Sequence, residues 1–163
     1  MIPYEAQKQF NSCGAAVMKM LLKYKQQDIS QDELIKELEI DLIGYTKKKN
    51  MREILDKFSI KHKEYAEEVI HKNVEELVRK NLLELVNDPL ELLLRRLDCG
   101  DVCVINYSVG EEGHYVLAHS YDLSNIIIHD PAFGPDQKIS KEDLVSRWIS
   151  GNKKWKRWFM AVS

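Results

Sequence analysis

The apolar period of this chain switches from mainly helical to mainly strand at Gly100, and that switch limits its fold more than any other feature. Before it, apolar residues recur at the three- and four-residue spacing of helices that face a core. After it, they come in short β-branched and aromatic runs separated by turn residues. Helices first and strands second is the order of an α+β protein with an antiparallel sheet, not of repeated βαβ units.

In the first half, Cys13, Ala16, Val17, Met20, Leu21 and Tyr24 share one helical face, with Lys19 and Lys23 off it. Asn11 and Ser12 are N-cap types just before that helix. Ser30 with Glu33 three residues on forms a capping box for a helix that buries Leu34, Ile35 and Leu38. A third helix starts near Asn50 and presents Met51, Ile54, Leu55 and Phe58, and residues 59–65 read as extended. The Leu- and Glu-rich stretch 73–98 reads as helical, divided at Asp88-Pro89 and ended by Gly100.

In the second half, residues 101–107 are apolar on both faces, as a central strand is. A polar loop over 108–113 leads into a strand over 114–121, then turn residues 122–125, then the β-branched run 126–129. Asp130-Pro131 and Gly134-Pro135 end that run. Ser140 caps a helix carrying Leu144 and Trp148, and a last strand is expected over 155–161. The basic aromatic stretch 153–158 reads as an edge strand with a cationic outer face.

At 163 residues the chain is long enough for one real core. It carries neither an internal repeat nor a linker, so residues 1–163 are expected to form a single domain. A helical lobe would span about 1–98, with a helical insertion at 73–98, and a sheet lobe about 99–163. The formal charge of −2 removes the electrostatic case for nucleic-acid binding. No apolar run reaches the 18 or so residues of a membrane span. The N-terminus carries no secretory pattern, so the expected location is the cytoplasm. Three cysteines, Cys13, Cys99 and Cys103, argue against a disulfide framework. Cys99 and Cys103 read as buried or half-buried structural thiols, with no metal site around them.

Cys13 stands apart. It opens an amphipathic helix, where unpaired N–H groups and the positive end of the dipole favour a thiolate. Gly14 beside it would let a substrate backbone approach. If 115–121 and 126–129 form a hairpin, its open end brings His114 and Asp130 together. Asp130 then fixes one ring nitrogen and leaves the other for Cys13, the third-group logic of a catalytic triad. His119 in mid-strand and His129 on the opposite face from Asp130 read as structural, and His62 and His71, among charges, as solvated. An oxyanion also needs donors. The N–H of Cys13 is one candidate, and Gln7, Gln9 and Asn11 all qualify as the second.

Three segments, Gln7-Lys-Gln-Phe-Asn-Ser-Cys13-Gly-Ala-Ala, Gly113-His114-Tyr-Val-Leu and Ile128-His-Asp130-Pro131, resemble the bacteriocin-processing, double-glycine peptidases. Trp148-Ile-Ser-Gly151 before the last strand agrees with them as well. The resemblance implies a papain-like fold, with Cys13 as nucleophile, His114 as general base and acid, and Asp130 as orienter. It favours Gln7 for the oxyanion hole. Two departures stand out: the length of 73–98, and Ser12 where exporter-linked members often have Asp.

The expected activity is thiol-dependent hydrolysis of a peptide or isopeptide bond in a peptide or protein substrate, with no metal or organic cofactor. Interception of the same thioester by an amine or hydroxyl would make the chain an acyltransferase or transpeptidase. A peptide-binding domain without catalysis is the alternative from another class. Helices within 73–98 are candidates for a partner or dimer contact, or for packing on their own domain.

Overall fold

The computed structural model describes residues 1–40, 45–70, 72–150 and 153–163. His71 and Gly151, singled out above, lie outside them. Three helices come first: α1 (Cys13–Tyr24), α2 (Gln31–Glu37) and α3 (Lys48–Lys57). The strands β1 (His62–Ala66) and β2 (Glu68–Val69) follow, then α4 (Val74–Arg79), β3 (Leu83–Leu85) and α5 (Pro89–Asp98). Next come β4 (Val102–Val109), β5 (Glu112–Tyr121), β6 (Asn125–Asp130) and β7 (Gly134–Ser140). The chain closes with α6 (Lys141–Arg147), β8 (Ile149–Ser150), β9 (Trp155–Lys156) and β10 (Phe159–Val162).

A seven-stranded sheet in the order β3-β1-β10-β4-β5-β6-β7 organises the molecule. Its pairs are antiparallel except β1 with β3. Each face carries its own core. On one, Met18, Leu21 and Leu22 of α1 and Leu55 of α3 meet Val104, Leu117 and Met160 of the sheet. On the other, Leu93 and Leu97 of α5 and Leu144 of α6 meet Ile105, Ile128 and Phe159. A mixed α+β architecture follows, as the switch at Gly100 requires.

Local signals placed several ends correctly. Ser30 and Glu33 make the reciprocal capping box of α2. Asp88 accepts from the Glu91 N–H at 3.0 Å with Pro89 opening α5, and Ser140 accepts from Asp143 N–H at 3.0 Å. Ser12 is different: it precedes α1 without capping it. Its hydroxyl turns back to residue 9, accepting from the Gln9 N–H at 3.1 Å and donating to the Gln9 carbonyl at 2.9 Å.

Four readings need correction. The stretch 73–98 is not helical throughout. Asn81 takes a positive φ of 56° that ends α4, and β3 then joins the sheet beside β1, burying Leu83. The polar loop at 108–113 is a tight turn, because β4 and β5 pair as far as Val109 with Glu112. β7 was not expected. It is a mostly exposed strand at the sheet edge, where Pro135 interrupts nothing and only Ile139 is buried. Finally, the closing strand is split. β9 belongs to a small sheet with β2 and β8, and β10 lies centrally between β1 and β4, so the basic stretch is no edge of the main sheet.

Candidate active site

α1 begins at Cys13, so the sulfur sits at the helix start, and the residue is 8% exposed. Gly14 beside it does not face open space. A Cβ there would lie 2.2 Å from Thr46 Oγ1, so the glycine admits Thr46 rather than a substrate backbone.

His114 lies within β5, and the β5–β6 register pairs Leu117 with His129. That register makes Asp130 a diagonal neighbour of His114. His114 Nε2 donates to Asp130 Oδ1 at 2.8 Å, and both side chains are largely buried. Cys13 lies close enough to act on the protonation of the same imidazole, and with Nε2 paired to Asp130, Nδ1 is the ring nitrogen left for the sulfur. Burial alone would lower the His114 pKa. The hydrogen bond to Asp130 and the influence of Cys13 and of the Asp130 charge override it, and the pKa is pushed up to about 9. Tyr107, across the hairpin from His114, packs edge-on against the ring at 6.0 Å between centroids. Burial and Asp130 push its phenol up to about 12.

Asp130 is held from several sides. Its Oδ1 also accepts from the Ala132 N–H at 2.8 Å. The N-terminal segment straps the end of β6. Ile2 O meets His129 Nε2 at 3.1 Å, Tyr4 OH donates to Asp130 O at 3.2 Å, and Gln7 N donates to Pro131 O at 3.0 Å. The strap is itself tied to α2 by Gln31, which accepts from Lys8 N–H at 2.8 Å and donates to Ala6 O at 2.9 Å.

Of the three amides, Gln9 is exposed and Asn11 lines the cleft with Cys13. Gln7 directs its Nε2 to Phe10 O at 3.1 Å, and its buried Oε1 has no protein hydrogen-bond partner among the described residues. The cleft beside Cys13 has a volume of about 750 Å³, and Thr46, Lys48, Asn106, Ser108, Tyr115 and Ser150 are among its lining. Tyr45 OH reaches Glu112 Oε1 at 3.2 Å at its mouth. Tyr115 and Ser150 lie inside motifs quoted from the sequence, whereas Thr46, Lys48, Asn106 and Ser108 carried no signal there.

The profile of the Peptidase_C39-like family matches residues 1–154. The chain belongs to that family. No curated protein matches it in sequence. Among solved structures it is similar to the peptidase domain of Streptococcus ComA, a bi-functional ABC transporter involved in quorum sensing. The identity is 15% and the TM-score 0.70, with 100% of this chain and 98% of that one covered. A double-glycine motif protease from an AMS/PCAT transporter, in complex with the leader peptide, is 18% identical at TM-score 0.64, covering 100% and 93%. A C39-like peptidase from Bacillus anthracis is 14% identical at TM-score 0.61, covering 99% and 94%. These likenesses establish the papain-like fold, and the family supports a function of the cysteine-peptidase type.

The remaining histidines and thiols of this C39-like chain divide as follows. His119 Nε2 and His129 Nδ1 approach Asp136 Oδ1 at 3.1 and 3.7 Å, and these ligand types lie within 4.8 Å of one another. His129 already accepts the Asp136 N–H at 3.2 Å, so hydrogen bonds knit the group. Burial and the neighbouring His129 push His119 down in pKa, with Asp136 opposing. His62 is not solvated: its side chain is 5% exposed, with Nδ1 at 3.0 Å from Ile60 O. Cys103 is buried, and burial pushes its thiol pKa up. Cys99 is exposed instead of buried, because it follows the last turn of α5 on the outside. Among the described residues no helix is long and apolar enough to cross a membrane.

Proposed function

We propose that this chain is a cysteine peptidase that hydrolyses a peptide or isopeptide bond through a thioester on Cys13. The observation that carries the reading is the arrangement of Cys13 at a helix start, beside an imidazole that is hydrogen-bonded to Asp130. The raised His114 pKa favours the thiolate–imidazolium pair, the reactive form of such a nucleophile.

In this reading the Cys13 thiolate attacks the scissile carbonyl, and its carbon becomes tetrahedral. The Cys13 N–H and Gln7 Nε2 hold the developing oxyanion, for which Nε2 turns from the Phe10 carbonyl. The imidazolium of His114 gives its proton to the leaving amine as the C–N bond breaks. Neutral His114 then takes a proton from water, which attacks the thioester and releases the acid and the thiolate. Asp130 keeps Nε2–H pointed away from the sulfur and stabilises the imidazolium. The peptide or protein substrate lies in the cleft lined by Thr46, Lys48 and Asn106. Residues 1–163 act as one peptidase domain, and an unpaired reactive thiol suits a reducing compartment such as the cytoplasm.

Digestion of a defined peptide library, with new termini read by mass spectrometry, tests this. The expected result is new free termini with the native protein and none with Cys13→Ala or His114→Ala. Equal cleavage by the Cys13→Ala protein would overturn the proposal.

A further inference from the structure

Lys48 opens α3 and lines the same cleft as Cys13. Its ammonium lies over three aromatic rings, at 4.6 Å from the centroid of Trp158, 5.0 Å from Trp155 and 5.6 Å from Tyr115. Such faces stabilise a cation but do not supply the directed acceptors that three ammonium protons require. Among the described residues, its one hydrogen-bond acceptor is Ser150 Oγ, at 3.5 Å. Its neighbours differ. Lys47 pairs with Glu39 and Lys49 with Glu53, whereas Lys48 pairs with no carboxylate among the described residues. Glu64 acts on it electrostatically, but that acid is occupied by Arg52 and by Trp158 Nε1 at 2.6 Å.

The start of α3 adds to the excess of positive charge. Lys47 gives no side-chain cap, and the first turn holds no acid, so the positive end of the helix faces an already cationic side chain. Burial, and Arg52 behind it, push the Lys48 pKa down to about 8, with Glu64 opposing. The acids at the cleft, Glu111 and Glu112, are exposed on the β4–β5 turn. A half-buried ammonium in an aromatic box, opening on the cleft and short of an anion, is a receptor for one.

We propose that Lys48, boxed by Tyr115, Trp155 and Trp158, anchors a carboxylate-binding subsite that selects peptides placing a negative charge in the Cys13 cleft. This rests on the reading of that cleft as a peptidase site. The carboxylate comes either from a peptide C-terminus or from an Asp or Glu side chain.

Trp155 and Trp158 flank the ammonium, so tryptophan emission reports its occupancy. The probes are N-acetylglycine, with only a terminal carboxylate, N-acetylglutamate α-amide, with only a side-chain carboxylate, and neutral N-acetylglycinamide. At neutral pH one or both acids are expected to shift the emission saturably and the neutral amide is not. Which acid responds identifies the source. Lys48→Gln is expected to raise the midpoint about tenfold, the loss of one charge-assisted hydrogen bond, and Lys48→Arg to restore most of it. Equal responses to acid and amide in the native protein, a comparison that needs no variant, would overturn the subsite. So would an unchanged midpoint in folded Lys48→Gln. Failure of the peptidase reading looks different: the carboxylate response persists while Cys13 shows no enhanced reactivity toward iodoacetamide.

Discussion

Thr46 fills the space where a side chain on Gly14 would begin: a Cβ there would lie 2.2 Å from Thr46 Oγ1 and 2.5 Å from Thr46 Cβ. This contact packs the segment before α3 against the first turn of α1, beside Cys13. Gly14→Ala therefore forces one of them to move, and overpacking of this kind costs about 1–3 kcal/mol. Thr46→Gly in the same chain is expected to recover most of the loss. Urea denaturation of the two single variants and the double variant checks the coupling, and additive losses would show that the contact is unimportant.

The His114 imidazolium makes stability and reactivity depend on pH. Its folded pKa is about 9, above the ordinary value of about 6.5. A raised pKa contributes stability that is present in full below about 6.5 and is lost as the pH rises through about 9. Peptide cleavage should fall over the same alkaline limb, as the acid for the leaving amine is lost. NMR titration of the His114 ring is expected to give a lower pKa in both Cys13→Ala and Asp130→Asn, since each removes a partner that raises it. An unchanged titration in both would contradict this geometry.

Arg52 and Glu64 form an ion pair, with Glu64 fully buried and also bonded to Trp158 Nε1. Removing one partner strands a buried charge. Arg52→Ala is expected to cost about 3–5 kcal/mol, read from chemical denaturation. The double replacement of Arg52 and Glu64 by apolar residues of similar volume should cost less than Arg52→Ala alone.

The N-terminal strap predicts a smaller effect. Tyr4→Phe removes the hydroxyl that donates to Asp130 O. The expected loss is about 0.5–1.5 kcal/mol of stability, with a modest slowing of Cys13 alkylation. A variant as stable as the native chain, with unchanged alkylation, would show that the strap does not position Asp130.

Much of this fold is legible in the sequence where the signal is local. Ser30 with Glu33, Asp88-Pro89 and Ser140 each fix a helix start through a bond to the residue three positions on. The turn at 122–125 is legible for the same reason, because Asp122 Oδ1 accepts the N–H groups of Ser124 and Asn125 at 3.0 and 2.7 Å. From that hairpin the approach of His114 to Asp130 follows. What depends on distant partners is not legible. β7 is a polar edge strand with one buried apolar residue, and β3 lies inside a segment whose composition favours helix. The central place of β10 is set by β1 and β4, both remote in sequence. Gly14 shows the same limit: its neighbour Thr46 is 32 residues away, so the glycine invites a substrate reading until the contact is known. Lys48 carries no motif at all, because its box is assembled from Tyr115, Trp155 and Trp158.

The account turns on the sulfur of Cys13, and its alkylation rate as a function of pH tests it most directly. Iodoacetamide labelling, resolved by mass spectrometry for each thiol, separates the three cysteines. Cys13 is expected to react rapidly at mildly acidic pH and to lose that advantage in His114→Ala. Exposed Cys99 is expected to be labelled more slowly than Cys13 at that pH, and buried Cys103 to stay unlabelled in the folded protein. A Cys13 labelled no faster than Cys99 at that pH, or not labelled at all, would contradict it.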